Sequence, residues 1–363
     1  MKAFIRDRFL ATCRFEKPDN PIRFEAMGVW PETVDRWRNE GLPFYVFNDL
    51  AAIPYFRFET WLPMMFGDHR NPGFFPAFVP RVIKKEGSTR IVRDFSGKTF
   101  REFKDGSASI PQHIDDPVHC RDDFRRLRWR LEPDIPGRVN NPMIDGAIAG
   151  AKLMSMPLAA QFSGLFGFHR HLLGVERLMT TYFDDPELLR SMAKAWAKLC
   201  SGVIHKVSKK TKIDLVVFWE DMCFRNGPLI SPKMFRKFMS PYYKQVIEEA
   251  KEHGIENFWV DTDGDCSLII PLFEEAGVTG MFPFEVQAGM DVREVRKNHP
   301  NLVIWGGVDK RRLAEGKPAI EDELNERVAP MLAGGGYIPC TDHLVPPDVS
   351  LENFRYYLDL MRS

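Results

Sequence analysis

Hydrophobic and polar positions fall into two regimes along the chain. From about residue 156 onward, short apolar runs rich in aromatic and β-branched residues alternate with longer stretches of helical period. Strands are expected at 214–219, 258–260, 278–284, 302–306 and 337–339, each followed by a helical stretch, with a last helix over 350–361. The segment 156–164, Met-Pro-Leu-Ala-Ala-Gln-Phe-Ser-Gly, opens this region as another strand. Nearer the start, 21–30 alternates as a strand does, and 31–41 begins with Pro and ends with Gly, as a helix does. Between 42 and 150 the regularity fades: Phe and Pro cluster at 72–80, and 90–103 reads as a hairpin turning at Ser96-Gly97.

Strands alternating with helices predict a parallel sheet, either open or closed into a barrel. No Gly-x-Gly-x-x-Gly follows the first strand and no complete Gly-x-x-x-x-Gly-Lys-Ser/Thr loop occurs, Val92 standing where Gly97-Lys98-Thr99 would need its first glycine, so the nucleotide-binding open sheets lose their usual sign. The expectation is α/β: a single TIM-type (β/α)8 barrel over 1–363, with residues 42–150 as an inserted elaboration that covers its mouth.

Composition narrows the function classes. The 363 residues are 44% hydrophobic and 28% charged, enough for a large core, and Lys+Arg balances Asp+Glu at 50 each. Such a balance gives no field to gather nucleic acid or an anionic membrane. Six dispersed cysteines without a Cys-x-x-Cys indicate neither a disulfide framework nor a zinc ribbon, and a reducing, cytoplasmic setting follows as the expectation. No run approaches the roughly 20 apolar residues of a membrane span. The basic stretch 121–130 carries interleaved apolar residues and reads as a solvated amphipathic helix.

Candidate chemistry sits where the apolar runs stop. The stretch 258–265, Phe-Trp-Val-Asp-Thr-Asp-Gly-Asp, sets Asp261 and Asp263 two apart, so both can project to one side of a strand end. Paired carboxylates need a cation, a proton or a donor between them. One Asp could cap the next helix, but a cap needs one side chain and the segment offers three. Glu220 and Asp221, Glu285, Asp309, and Cys340, Asp342 and His343 likewise follow strands, and in an α/β barrel such positions share one mouth.

The second half resembles the uroporphyrinogen decarboxylase superfamily, which also holds corrinoid-dependent methyltransferases and is related to cobalamin-independent methionine synthase. The resembling text is 227–238 with Pro-Tyr-Tyr at 241–243, Asp-Thr-Asp-Gly at 261–264, Gly-Gly-Val-Asp at 306–309, and 343–353. The resemblance implies a metal site on Asp261, Asp263, Glu285 and His343, the positions matching the His-x-Cys, acid and distant Cys of the zinc methyltransferases. Carboxylates and imidazole make a harder site than thiolates. That points to the demethylases, which pass a methyl group from an ether, commonly an aryl methyl ether, to the cobalt(I) of a separate corrinoid protein.

The resemblance therefore implies Zn²⁺ or another divalent ion here, cobalamin carried by a partner protein, a small methoxylated substrate, and room for a homodimer. Two or three of the four candidates are expected to hold the ion, with the acid left over from the four, or else Glu220 or Asp221, protonated or bonded to substrate, and His343 steadied by Asp342. Trp30, Phe74, Phe75 and Phe78 are candidate pocket walls. The decarboxylases proper hold substrate carboxylates with an arginine pair after the first strand, where this chain has Glu-Ala-Met-Gly-Val-Trp at 25–30. Metal-free decarboxylation would have to recruit Arg23 or Arg225. A non-catalytic ligand-binding barrel is the third reading.

Overall fold

A computed structural model describes residues 4–18, 20–104 and 111–362. Strand β1 (Leu62–Met65) is followed by a separate antiparallel sheet of β2 (Arg81–Glu86), β3 (Thr89–Arg93), β4 (Thr99–Phe103) and β5 (Gln112–Asp115). The main sheet continues with β6 (Leu158–Ser163) and β7 (Leu215–Trp219). After a short hairpin, β8 (Cys223–Phe224) and β9 (Gly227–Pro228), come β10 (Phe258–Thr262), β11 (Gly280–Pro283), β12 (Val303–Trp305) and β13 (Tyr337–Ile338). Its seven strands lie in the order β1-β6-β7-β10-β11-β12-β13, and every pairing is parallel.

Strands buried on both faces should be apolar throughout, as Leu-Val-Val-Phe-Trp in β7 is. Their period of two divides the core. Leu215, Val217, Trp259, Phe282, Val303, Trp305 and Ile338 pack together on one face, while Val216, Phe218, Phe258, Val260 and Ile304 face the helices. The sheet is strongly curled. Trp61, beside β1, lies 4.9 Å from Trp305 of β12, although five strand spacings in a flat sheet would be roughly 24 Å.

Residues 21–30 lie between the two sheet edges. The Phe24 ring stacks on Trp305 at 4.5 Å; Glu59 N–H, just before β1, donates to the Arg23 carbonyl (2.7 Å), and Thr341 N–H, just after β13, to that of Glu25 (3.0 Å). The strand expected over 21–30 is thus extended chain with a single bridge, Val29 to Val345. The helix Ile5–Cys13 plugs the N-terminal ends of the strands: Phe9 enters the inner core 5.4 Å from Trp259, and Arg6 grips Asp214 ahead of β7 (2.9 and 2.7 Å). The open end is the other one, where the strands finish.

The strands expected after residue 156 all occur within a residue or two, and β3 and β4 form the expected hairpin, with Gly97 at φ +92° in its turn. One correction concerns residues 42–150, which are not all elaboration, because β1 belongs to the main sheet. It escapes detection because it is four residues long and carries Pro63, which an edge strand tolerates. The antiparallel sheet packs on the flank, against the helix Leu165–Leu173, where Val118 N–H donates to the Leu172 carbonyl (3.0 Å). Among the described residues no helix is long and apolar enough to cross a membrane.

Candidate metal centre

The end of β10 carries three acids with three fates. Asp265 caps no helix and braces the turn that follows, its Oδ1 accepting from the Ser267 amide (3.0 Å) and hydroxyl (2.6 Å), while the next helix, Ile270–Glu275, has no side-chain cap. Asp261 and Asp263, on the inward parity of Trp259, are left facing the mouth. Gly264 makes the turn possible: it sits at φ +77°, and a Cβ there would lie 2.7 Å from the carbonyl carbon and oxygen of Cys223. Its amide donates to Glu285 Oε2 (3.0 Å), tying the end of β10 to that of β11.

Asp263, Glu285 and His343 come together, each with a ligand atom within 4.8 Å of the others. His343 Nε2 is 3.5 Å from Asp263 Oδ2. Their side chains keep 34%, 22% and 24% of their surface open, so a small molecule can reach them. Burial and then the Asp263 charge raise the Glu285 carboxyl above the ordinary range. Burial pulls His343 down, but its hydrogen bond to Asp263 and the charges of Asp263 and Glu285 outweigh it, and the net shift is upward. Asp261 stands outside this triad. Its carboxyl is pushed well above the usual range by desolvation, then by Asp263 and Asp221.

A clamp behind the triad joins three strand ends. Asp342, fully buried, accepts from the Val286 amide (2.9 Å) after β11 and from both the amide (3.2 Å) and the ammonium (3.1 Å) of Lys310 after β12. Lys310 also lies 3.9 Å from Glu285 Oε1. Asp342 therefore steadies the loop bearing Glu285, whereas the partner of His343 besides Asp263 is Trp30, whose ring stacks on the imidazole at 6.2 Å. Two hard carboxylates and an imidazole are a donor set suited to Zn²⁺ or a similar divalent ion.

The other acids are placed differently. Glu220, on the outward parity of β7, is fully buried and accepts from the amides of Leu165 (3.0 Å) and Gly167 (2.8 Å) and from Tyr243 Oη (2.5 Å). Burial raises its carboxyl to about 7 against the opposing pull of those donors. Asp221, at φ +45°, turns the chain and pairs with Arg170, whose Nη1 also reaches the Asp221 carbonyl (2.7 Å). Asp309 is a helix cap, accepting from the Arg311 amide (3.0 Å). Cys340 lies in the inner core.

The family model described as uroporphyrinogen decarboxylase matches residues 106–363, the part that carries the triad, the clamp and six strands of the main sheet. The chain belongs to the uroporphyrinogen decarboxylase family. No curated protein matches it. Among solved structures, a methyltransferase from Methanosarcina mazei aligns over 99% of this chain and 98% of its own, with a TM-score of 0.64 at 14% identity, a likeness of fold. A B12-independent methionine synthase from Shewanella sp. W3-18-1 aligns over 78% and 73%, with a TM-score of 0.35 at 10% identity.

In this member of the uroporphyrinogen decarboxylase family the arginines described in the first-strand region are paired with acids. Glu25 is buried against Arg362 (2.8 Å), and the Arg23 guanidinium lies 3.4 Å from Glu59; Arg225 is exposed. Of the aromatic candidates Trp30 is at the triad. Phe74 and Phe75 line a separate cavity of about 630 Å³ beside β1, and Phe78 lies under Arg130 and Arg93. Sequence reasoning missed Lys310, Arg170 and the bridging role of Asp342, which only spatial proximity reveals.

Proposed function

We propose that the protein removes a methyl group from a methoxylated, aromatic substrate and delivers it to the cobalt(I) of a corrinoid carried by a separate protein. The reading takes the curled sheet as the wall of a (β/α)8 barrel with 21–30 in the eighth position. The observation that carries it is the Asp263, Glu285, His343 triad at the open end, a hard donor set with room for a ligand. A divalent ion held there would supply Lewis acidity to an ether oxygen, worth several kcal/mol.

The chain's own residues do the rest. Trp30 limits rotation of the His343 ring, and the Asp342–Lys310 clamp holds the Glu285 loop, so the donors need little rearrangement. When the C–O bond breaks, its electron pair stays on oxygen and the methyl passes to the partner's cobalt(I). The oxygen then needs a proton. Asp261, kept protonated by burial and by its acidic neighbours, is the group we assign to give it. Glu220 is anchored to a helix N-terminus and serves the fold. With all six cysteines free, the protein suits a reducing cytoplasm.

Decarboxylation of a small carboxylate is the second reading, favoured by the family itself. It needs an available cation more than a metal. Metal content of the purified protein, measured by mass spectrometry, separates the two. Anaerobic mixing with cobalt(I) corrinoid and methoxylated aromatics should then give the free phenol and a methylated corrinoid. Turnover with folate or a thiol and no corrinoid, or metal-free protein of full activity, would sink the proposal.

A further inference from the structure

In three neighbouring strands of the main sheet a single residue escapes full burial: Gln161 in β6, Trp219 in β7 and Asp261 in β10. All three have the inward parity. Ala159, Val217 and Trp259, two positions before them, belong to the inner core, whereas Phe162, Phe218 and Val260 beside them pack with the helices. The parallel register sets Gln161 opposite Val217 and Trp219 opposite Asp261. Open surface at adjacent inward positions marks one hollow inside the curl of the sheet. It runs from β6 to β10, where Asp261 is two residues from Asp263 of the triad.

Gln161 interrupts a strand that otherwise buries Leu158, Ala159, Ala160 and Phe162. Its side-chain amide makes no hydrogen bond among the described residues, and it is not one of the fully enclosed polar groups, so the amide meets the hollow. An amide offers both an acceptor and two donors and carries no charge. Covered by an apolar group it would be left unsatisfied, whereas a hydroxyl on the ligand would meet it.

Trp219 supplies the wall between Gln161 and Asp261, and its ring is fixed in place by its neighbours. Gly167 makes room for it on the helix Leu165–Leu173, since a Cβ there would lie 3.0 and 3.2 Å from Cε3 and Cζ3 of the indole. The His171 ring lies 5.3 Å away and the Arg170 guanidinium 5.7 Å. Trp219 and Asp261 stand one strand spacing apart, and Gln161 is a further strand over and two residues back, roughly 12 Å from Asp261 between backbones. Two inward side chains and a benzene ring with an oxygen at each end can fill that gap.

We infer that Trp219 packs against the ring of the substrate and Gln161 holds an uncharged hydroxyl at its far end, so that the methyl donor is of the methoxyphenol class. This rests on the demethylase reading for the identity of the end that meets Asp261 and the triad. Calorimetric binding of two probes to the full-length protein, Gln161→Leu, Trp219→Leu and Trp219→Phe tests it. The probes are 4-methoxyphenol, uncharged at neutral pH, and 4-methoxytoluene, which carries a methyl group where the phenol has its hydroxyl.

The wild type should bind the phenol roughly 3–10-fold more tightly, and Gln161→Leu should remove that preference by weakening the phenol alone, as for loss of one neutral hydrogen bond. Trp219→Leu should weaken both probes alike, about 2–10-fold, and Trp219→Phe should keep most of the affinity. Zinc affinity should stay within a few-fold in every variant, which separates loss of the subsite from loss of the fold. In turnover the Gln161→Leu loss should fall on KM, with kcat at saturation nearly unchanged. Equal effects of Gln161→Leu on both probes, no effect on either, unchanged binding in Trp219→Leu, or a wild type that binds neither probe or shows no preference overturns the inference. Gln161-dependent binding without demethylation of any ether would leave this subsite standing and remove the demethylase reading. Demethylation of both ethers with equal efficiency, indifferent to Gln161, would do the reverse.

Discussion

Replacing His343 with Ala takes the nitrogen donor from the triad and leaves Asp263 and Glu285 facing each other. Structural zinc held by four ligands is worth about 10–16 kcal/mol, or about 3 kcal/mol per ligand, and each 1.4 kcal/mol is tenfold in affinity. Zinc binding should therefore weaken by about 100-fold, measured at neutral pH by competition with a chromophoric chelator. The fold should survive, because His343 is partly open and packs on Trp30, not in the core. Asp261→Asn is the internal contrast. Asp261 lies outside the triad, so this variant should keep its zinc affinity within a few-fold while losing demethylation, whereas Asp263→Asn should lose zinc about as His343→Ala does. Wild-type affinity in His343→Ala, or equal losses in Asp261→Asn and Asp263→Asn, would refute the assignment and place any ion between the two aspartates.

Three further outcomes follow from the supporting residues. Asp342→Ala leaves the buried Lys310 ammonium without its 3.1 Å partner and the Val286 amide unsatisfied; it should cost about 3–5 kcal/mol in urea unfolding and weaken zinc roughly 10–100-fold through the loosened Glu285 loop. Gly264→Ala forces a Cβ against Cys223 in a left-handed backbone and should cost roughly 2–4 kcal/mol in the same assay. Glu220 titrates near 7 in the fold against an ordinary 4.5, so the folded state holds its proton more tightly. The stability this gives is complete below pH 4.5 and lost as pH rises to 7, about 3 kcal/mol at 1.36 kcal/mol per unit. Unfolding free energies of Glu220→Gln and wild type, compared across that window, should show the slope removed in the variant; parallel pH profiles would refute it.

Much of the fold was legible because buried parallel strands write themselves as apolar runs with period two, and the acids that end them mark the open face. The missing pieces have physical causes. β1 is too short, and too altered by Pro63, to show a period. Residues 21–30 alternate as a strand but find a neighbour on each side through scattered bonds in place of a ladder. The clamp joins Lys310 to Asp342, 32 positions apart, through a contact that exists only once β12 and β13 lie side by side.

The acids themselves were separable by a signal that went unused, the parity of each strand. Val217 and Trp259 belong to the inner core, so Trp219, Asp261 and Asp263 continue the inward set, whereas Phe218 faces the helices and Glu220 follows it outward. That single step of register turns Glu220 from a mouth residue into a helix anchor, because successive side chains leave a strand on opposite sides. Parity fails where the backbone leaves the extended region. Phe282 points inward, but Phe284 sits at φ +61° and packs with the outer core, and the turn it makes carries Glu285 round to face Asp263. A pattern of two therefore predicts the ligand on β10 and misplaces the one on β11, and what corrects it is the left-handed residue that the alternation of side chains cannot encode.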